Sequence, residues 1–326
     1  MENKTKASPT PKVVSSAYRL LDGEEVNLVE RIGDGSIITR FNKTPRPVEE
    51  TDVVCPHFLQ LKWATGCPFR CAWCYLQGTL RFLPTKTKPH IKPYPKIEKH
   101  LKVFLEQADG HPELLNSGEL ADSLMYEKNG SPFSKFMISL FQGQNKHRVL
   151  LVTKSVYIAN LLEIDHNGKA VVSFSLNAPN VARIFEKAPP VDERVEAAAK
   201  LSRAGYEVRI RIDPLVPLPG WEQDYRALME LVFSKFRPSR ITLGSLRGLR
   251  STINFARDRR WVAFLEEPSN WGLKVAFEIR LRMYQTVLDY LASSYGYHQV
   301  GLCKETLAIW DALGMNYRQI KCNCLT

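Results

Sequence analysis

Short apolar segments recur along the middle of the chain with the patterns of β-strands. Residues 57–63 and 207–215 alternate between apolar and polar side chains, as half-buried strands do. Residues 148–154 and 170–176 are nearly unbroken apolar runs, which is typical of strands buried on both faces of a parallel sheet. The segments 113–116 and 240–244 are the remaining predicted strands.

The stretches between these strands have the spacing of amphipathic helices. Residues 192–204 are the clearest case, because they end at Gly205, a residue type that commonly terminates helices. Further helices are predicted over residues 97–107, 133–141 and 224–236. Strands that alternate with helices in this way predict an α/β fold with a parallel sheet.

Composition divides the chain into three parts. Residues 1–50 are rich in Lys, Pro, Thr and Glu with only short apolar runs, so we expect a partly ordered N-terminal arm. Residues 51–246 carry the strand and helix repeats and form the expected core. Residues 247–326 include a long amphipathic helix predicted over 274–293, so we expect a mainly helical C-terminal extension that could bind substrate or nucleic acid.

The extension begins with a basic segment. Two aromatic residues, Trp261 and Phe264, follow its arginines. Such a segment could follow a phosphate backbone, or it could be a solvated helix face with a few core aromatics. The formal net charge of +11 also favours a polyanionic partner. The arginines are Arg247, Arg250, Arg257, Arg259 and Arg260.

No run of eighteen apolar residues and no charged leader followed by an apolar run is present. We therefore expect neither a membrane span nor a secretory signal, and a cytoplasmic protein without a membrane partner. The seven cysteines fit a reducing compartment better than a disulfide framework, because three of them lie in one short loop.

That loop carries Cys67, Cys71 and Cys74 within eight residues. Thiolates select soft metals, and three of them leave one site of an iron–sulfur cluster open to a substrate or cofactor. Zinc held by the three cysteines and a histidine such as His57 is the alternative, although structural zinc sites usually pair two separated ligand dyads. The loop follows the first predicted strand, at the end where β/α barrels carry their active sites.

The C-x3-C-x2-C spacing, with an aromatic residue before the third cysteine, resembles the cluster loop of the radical S-adenosylmethionine (SAM) enzymes. The resemblance implies a partial (β/α)6 barrel of the TIM type. It also implies a [4Fe-4S] cluster on Cys67, Cys71 and Cys74 that binds SAM and cleaves it to a 5'-deoxyadenosyl radical. An electron donor such as flavodoxin or ferredoxin would then be a partner.

Within that group, residues 57–246 resemble the spore photoproduct lyase family, which repairs a thymine dimer in DNA. The segments that carry the resemblance are the cysteine loop with Tyr75-Leu76-Gln77, then Phe174-Ser175-Leu176-Asn177, Ile184-Phe185-Glu186, residues 192–198, Ala204-Gly205-Tyr206 and Gly220-Trp221-Glu222.

The resemblance implies a set of SAM contacts. Lys154 would pair with the carboxylate of SAM, Ser175 would bond its polar groups, and Glu119 would receive its amino group. Ordinary structural roles are the alternative for each: a solvated strand end for Lys154, a core hydroxyl for Ser175 and a plain turn around Glu119. The complete set is Trp73, Ser117, Gly118, Glu119, Lys154, Ser175 and Asp213, of which Asp213 could instead cap the turn that follows it.

Two departures from the family pattern affect hydrogen transfer. The hydrogen-donating cysteine of the family would lie near residues 115–118, which contain no sulfur here, and Trp73 replaces a tyrosine. An indole can stack on adenine but has no phenolic hydrogen to pass on. The catalytic candidates that remain are Tyr75 and the pair Cys322 and Cys324, which we expect on a mobile, exposed tail. Cys303 is expected in the core.

These observations predict a radical SAM enzyme that acts on a thymine-derived base in DNA. Because the family's hydrogen donor is missing, we expect modification or isomerisation of a base, or of another nucleoside, over dimer repair with hydrogen return. The non-enzymatic alternative is a nucleic-acid-binding module whose cysteine loop is a structural metal site.

Overall fold

The computed structural model describes residues 10–107 and 110–326. Its strands are β1 (Val13–Arg19), β2 (Glu25–Ile32), β3 (Ile38–Arg40), β4 (Val53–Val54), β5 (Leu59–Leu61), β6 (Ala64–Thr65), β7 (His90–Ile91), β8 (Leu114–Asn116), β9 (Arg148–Thr153), β10 (Ala170–Leu176), β11 (Glu207–Leu215), β12 (Arg240–Ser245), β13 (Arg247–Gly248), β14 (Glu267–Ser269), β15 (Gly272–Lys274), β16 (Val300–Leu302) and β17 (Glu305–Thr306).

Its helices are α1 (Leu76–Thr79), α2 (Tyr94–Leu105), α3 (Phe133–Gln142), α4 (Ala159–Glu163), α5 (Pro179–Phe185), α6 (Val191–Arg203), α7 (Trp221–Lys235), α8 (Arg250–Phe255), α9 (Phe277–Tyr295) and α10 (Leu307–Ala312), with 3-10 turns at Arg260–Phe264 and Tyr317–Gln319. Among the described residues, no helix is long and apolar enough to cross a membrane.

A ten-stranded sheet, in the order β1-β2-β3-β5-β8-β9-β10-β11-β12-β16, organises the molecule. The seven strands β5, β8, β9, β10, β11, β12 and β16 all run parallel. The helices between them cover the sheet, so β9 and β10 are buried along almost their whole length, as their apolar runs predict. The predicted α/β class and its six strand and helix repeats are confirmed.

Helix α6 shows how local sequence sets these elements. Asp192 and Glu193 occupy its first turn and Lys200 and Arg203 its last turn, which complements the helix dipole at both ends. Gly205 follows with φ of 86°, a left-handed conformation that ends the helix and turns the chain into β11.

The N-terminal segment forms an edge of the sheet. Within the predicted partly ordered arm, residues 10–50 contain β1, β2 and β3, which add an antiparallel edge to the sheet next to β5. Buried Arg40 fixes this edge by binding the Glu113 carboxylate and the Val29 and His57 carbonyls. The first nine residues of the predicted arm lie outside the described residues.

The C-terminal third carries the predicted long helix as α9 and is also joined to the core. Strand β16 extends the parallel sheet beside β12, and β17 pairs with β4. Buried Glu305 binds Lys274 and Arg280 and accepts a hydrogen bond from the Tyr284 hydroxyl at 2.7 Å. Strand β16 therefore places part of the C-terminal third in the same sheet as the core.

The chain end is buried, not mobile as predicted. Asn323 inserts between strands: its amide nitrogen donates to Ser173 Oγ at 2.8 Å and to the Ile210 carbonyl at 2.9 Å. Its amide oxygen accepts a hydrogen bond from Thr242 Oγ1 at 2.8 Å. Arg209 also binds the Asn323 carbonyl, at 2.9 Å. Every polar group of this buried side chain is satisfied, so the tail is part of the core.

Replacing Asn323 with Ala should therefore destabilise the protein, because it leaves buried polar groups on three strands without partners. The expected loss in the free energy of unfolding is ~1–3 kcal/mol, measured by denaturant unfolding. Asn316→Ala is the matched control, since Asn316 only accepts a bond from the Arg318 amide in an exposed turn. Equal stability of both variants would contradict the buried tail.

Candidate active site

The carboxyl ends of the parallel strands surround a cavity of about 590 Å³. In a parallel sheet all of these ends lie on one side, so residues far apart in sequence meet there. The strand ends contribute Lys62 after β5, Gly118 and Glu119 after β8, Lys154 after β9, Ser175 from β10, Asp213 from β11, Arg247 after β12 and Lys304 after β16.

The cysteine loop lies between β6 and α1, and main-chain hydrogen bonds hold it at this cavity. Cys67 N donates to the Thr87 carbonyl at 3.0 Å, and Ala72 N donates to the Phe185 carbonyl at 2.8 Å. Gly66 begins the loop with φ of 85°, and a Cβ there would lie 2.3 Å from the Lys88 carbonyl oxygen. Only glycine fits this position, so the loop depends on it for its close approach to residue 88.

The three thiols of the loop are suited to an iron–sulfur cluster. Cys71 and Cys74 line the cavity, and Cys67 lies half-buried at the start of the loop. Burial raises the pKa of all three thiols, so stable thiolates here need a compensating cation, which iron supplies. In the part of the chain that the structure describes, no three His, Cys, Asp or Glu side chains converge enough to hold a single metal ion. A cluster makes no such demand, because each thiolate binds its own iron.

Lys154 reaches the cavity from the end of β9 as predicted, but it is already paired. Its ammonium nitrogen lies 2.8 Å from one Glu186 carboxylate oxygen, and buried Arg194 lies 2.8 Å from the other. Burial alone would lower the pKa of Lys154, but the Glu186 charge raises it, so the lysine stays protonated. Glu186, for which no role was predicted, orients this cation.

Asp213 also lines the cavity and forms a two-bond ion pair with Arg247. The distances are 2.7 Å from Nη1 to Oδ1 and 3.0 Å from Nη2 to Oδ2. Burial alone would raise the pKa of Asp213, yet Arg247 and Arg211 hold it well below its usual range. Arg247 is therefore a cavity residue and does not belong to the predicted basic surface.

Most of the other predicted contacts reach the same cavity. Trp73, Tyr75, Gly118, Glu119 and Ser175 all line it, and the Tyr75 hydroxyl donates to the Glu119 carbonyl.

Ser117 does not point into the cavity. It is fully buried, and its hydroxyl bonds Ser123 Oγ at 2.8 Å and the Leu150 carbonyl at 2.9 Å. Of the predicted segment Ser117-Gly118-Glu119, only Gly118 and Glu119 line the cavity, and the Ser117 hydroxyl serves the packing between β8 and β9.

The fold brings Cys322 and Cys324 close to residues 115–118, where the hydrogen-donating cysteine of the family would lie. Cys322 and Cys324 are only 4% and 6% exposed and line the cavity, so the predicted exposed tail is wrong. Cys324 Sγ accepts a hydrogen bond from Asn116 Nδ2 at 3.7 Å, next to the strand end where a donor was expected. The Cys322 thiol donates to the Cys324 sulfur, which raises the pKa of Cys322 and lowers that of Cys324.

Cys55, Cys303 and Arg211, for which the sequence predicted no role at the site, lie in the same cavity as Cys322 and Cys324. Cys55 and Cys303 line the cavity, and Cys303 is half-buried instead of a core residue. Arg211 Nη2 lies 3.4 Å from Cys324 Sγ and 3.8 Å from Cys303 Sγ. The alternation of β11 would have identified Arg211, since it lies two residues before Asp213 on the same face.

A partial barrel of parallel strands whose cavity receives a C-x3-C-x2-C loop defines the radical SAM class of proteins. The family model for spore photoproduct lyase matches residues 57–243. The chain belongs to the spore photoproduct lyase family.

Comparison with individual proteins agrees with this assignment. The chain is 33% identical over 177 residues to spore photoproduct lyase of Bacillus subtilis, covering 52% of this chain and 49% of the relative. It is 31% identical over 170 residues to the protein of that name from Geobacillus sp., covering 51% and 48%. The chain thus spans about half the length of the curated relatives it matches.

Solved structures share the fold. A spore photoproduct lyase complexed with dinucleoside spore photoproduct superposes with a TM-score of 0.62 at 20% identity, covering 74% of each chain. A variant of that enzyme with bound AdoMet and dinucleoside spore photoproduct gives a TM-score of 0.61 at 20% identity, covering 76% of this chain and 75% of the other.

Replacing Cys67, Cys71 or Cys74 with Ala should abolish cluster assembly, because each thiolate is expected to hold a different iron. Iron content and visible absorbance after anaerobic reconstitution measure this. Cys55→Ala, a buried cysteine outside the loop, is the control and should retain iron. Full iron content in a variant that lacks all three loop cysteines would refute the site.

Proposed function

We propose that the protein is a radical SAM enzyme that acts on a thymine-derived base in DNA. One observation carries the proposal: in a chain of this family, the three-cysteine loop opens into the same cavity as most residues of the predicted SAM pocket. The volume of about 590 Å³ is in the usual range for small-molecule sites. The relative solved with AdoMet and dinucleoside spore photoproduct supports both the cofactor and the class of substrate.

The loop cysteines Cys67, Cys71 and Cys74 would hold a [4Fe-4S] cluster, which with SAM supplies a 5'-deoxyadenosyl radical when both are bound. Reduction would come from a small redox protein such as flavodoxin or ferredoxin. The residues of this chain bind and orient. Trp73 can stack on the adenine, and Lys154 can pair with the SAM carboxylate.

Lys154 can do this without leaving Glu186. An ammonium has three donor hydrogens, and the hydrogen bond to Glu186 uses one of them. Arg194 continues to neutralise Glu186 from the other side. The ion pairs among Lys154, Glu186 and Arg194 therefore hold the lysine at the cavity wall. Less side-chain entropy of Lys154 is then lost when a carboxylate binds.

The substrate proposal rests on the family and on charge. Members of the family carry the name of a thymine-lesion lyase, and the net charge of +11 suits a nucleic-acid substrate. The cavity is also lined by Arg211 and Lys304, neither of which is paired with a carboxylate among the described residues, and this suits a polyanion.

The buried tail changes which group is expected to return a hydrogen atom to the substrate radical. The missing family cysteine favoured chemistry without hydrogen return, but the Cys324 sulfur lies beside Asn116, at that same strand end. We now favour lesion cleavage with hydrogen return from the Cys322 and Cys324 pair. Cys322, whose pKa is raised, keeps its hydrogen at neutral pH and shares it with Cys324.

In this step a substrate carbon radical takes the hydrogen atom: one S–H bond breaks and one C–H bond forms. A sulfur-centred radical is left on the pair. Tyr75, which lines the same cavity, can restore that atom: its O–H bond breaks, an S–H bond forms and the radical moves to the Tyr75 oxygen. One electron from the redox protein and one proton would then restore the phenol.

Lys154→Ala should weaken SAM binding and leave the iron content unchanged. A hydrogen bond to a charged group contributes about 1.5–3 kcal/mol, so affinity measured by equilibrium dialysis should fall roughly tenfold or more. Ser175→Ala should show a smaller loss. Lys135→Ala, which removes an exposed lysine paired with Glu163, is the control. Wild-type affinity in both cavity variants would mean that the pocket is assigned wrongly.

Cys322→Ser combined with Cys324→Ser should slow the repair of dimer-containing DNA and divert product to adducts, because the substrate radical is no longer quenched by sulfur. Chromatography of thymine products after anaerobic turnover measures this. Cys55→Ala on the same cavity wall is the matched control. Clean return of two thymines by the double variant would instead support base chemistry that needs no sulfur donor.

A further inference from the structure

An exposed aromatic and basic surface lies directly outside the cysteine loop. Phe82 is 79% exposed and Phe255 is 53% exposed, although both are large apolar side chains. The Arg81 guanidinium carbon lies 3.9 Å from the centroid of the Phe82 ring and 5.5 Å from that of Phe255, so the two rings flank one cation. We call this the rim surface, and it comprises Arg81, Phe82, Lys86, Lys88, Phe255 and Arg257.

The rim surface is held rigidly to the loop. Helices α1 and α8 pack so closely that a Cβ on Gly78 would lie 2.6 Å from the Ser251 carbonyl carbon. Arg257 N donates to Gln77 Oε1 at 3.0 Å, and Gln77 Nε2 donates to the Ala72 carbonyl inside the loop at 2.8 Å. Arg257 Nη2 bonds Thr87 Oγ1 at 2.8 Å, which joins the two basic segments.

This surface is also continuous with the cavity. Thr79, at the end of α1, and Thr252, on α8, line the cavity. Phe82 and Phe255 each lie three residues further along, on the outside of the same two segments. The rim surface therefore borders the cavity at α1 and α8.

The charge of the surface is of one sign. Residues 78–92 contain Arg81, Lys86, Lys88 and Lys92 and no acidic residue. Within the described residues, no carboxylate pairs with Arg81, Lys86, Lys88 or Arg257. Asp258 is the acidic residue of the neighbouring segment, and it binds Arg260 at 2.6 Å.

Trp261 and Phe264, the aromatic residues of the predicted basic segment, are not part of the rim surface. Trp261 is fully buried and donates its indole hydrogen to the Asp258 carbonyl at 2.7 Å, and Phe264 is partly buried against the core. The basic segment that begins at residue 247 thus supplies cations and Phe255 to the surface, and the second ring comes from residue 82.

We propose that the rim surface binds duplex DNA beside the cavity, with Phe82 and Phe255 stacking on bases that are displaced when the target leaves the helix. This rests on the proposed function. A base inside a duplex cannot reach a buried cavity, and its extrusion has a cost that inserted or stacked apolar side chains offset. The surrounding cations contact phosphates, which gives affinity without base specificity.

Phe82→Ala combined with Phe255→Ala tests the stacking role. Both rings are exposed, so folding should not change. Binding of a fluorescein-labelled duplex, followed by anisotropy, should weaken by about tenfold or more. Turnover of a lesion in duplex DNA should fall with it, whereas turnover of the same lesion in a free dinucleotide should stay at the wild-type rate. Dithionite is the reductant throughout, so docking of a redox protein does not contribute.

Two further variants separate charge from stacking. Lys86→Gln combined with Lys88→Gln should reduce the slope of log affinity against log salt by about 1.8. Tyr157→Ala is the matched control, because Tyr157 is an aromatic residue, 45% exposed, with Lys128 over its ring.

Unchanged duplex binding in the double phenylalanine variant, while wild type binds, overturns the rim proposal and leaves the proposed function standing. In a parallel assay, reduced flavodoxin replaces dithionite. Normal duplex binding with a loss of turnover in that assay alone also overturns the proposal, since the surface would then belong to an electron donor. Failure of the wild-type protein to bind or process lesion-containing DNA at all refutes the proposed function itself.

Discussion

The parallel course of the central strands is the constraint on which the site depends. Because the seven parallel strands of the central sheet (β5, β8, β9, β10, β11, β12 and β16) all end on one side, side chains from seven distant segments are forced into a single cavity. The cysteine loop can approach them only because Gly66 permits contact with the chain at residue 88. The main-chain hydrogen bonds of Cys67 and Ala72 then fix the loop against two neighbouring segments.

Charges gathered in this way must be compensated, since an isolated buried ion is strongly unfavourable. The structure pairs Lys154 with Glu186 and Arg194, and Asp213 with Arg247. Arg211 differs, because its close contacts are the sulfurs of Cys303 and Cys324. Cations paired with carboxylates build a fixed pocket. Arg211 instead lies beside the sulfur of Cys324, whose pKa is lowered first by the hydrogen bond from Cys322 and then by the Arg211 charge.

The sequence predicted the strands well because their signal is local. Unbroken apolar runs marked β9 and β10, and the stop at Gly205 marked the end of α6. Long-range contacts left no such signal. Nothing near residue 323 shows that Asn323 bonds Ser173 and Thr242, so a polar chain end was interpreted as mobile. The sequence left the role of Trp261 open for the same reason, since an aromatic residue gives no sign of whether it faces a ligand or the core.

The most direct test of the account follows the hydrogen atom that is removed from the substrate. A thymine lesion labelled with deuterium at the abstracted position would be incubated anaerobically with reconstituted protein, SAM and dithionite. Mass spectrometry would then be used to examine the 5'-deoxyadenosine. The account predicts one deuterium in 5'-deoxyadenosine and none when the loop cysteines are absent. Unlabelled 5'-deoxyadenosine alongside conversion of the lesion would contradict it.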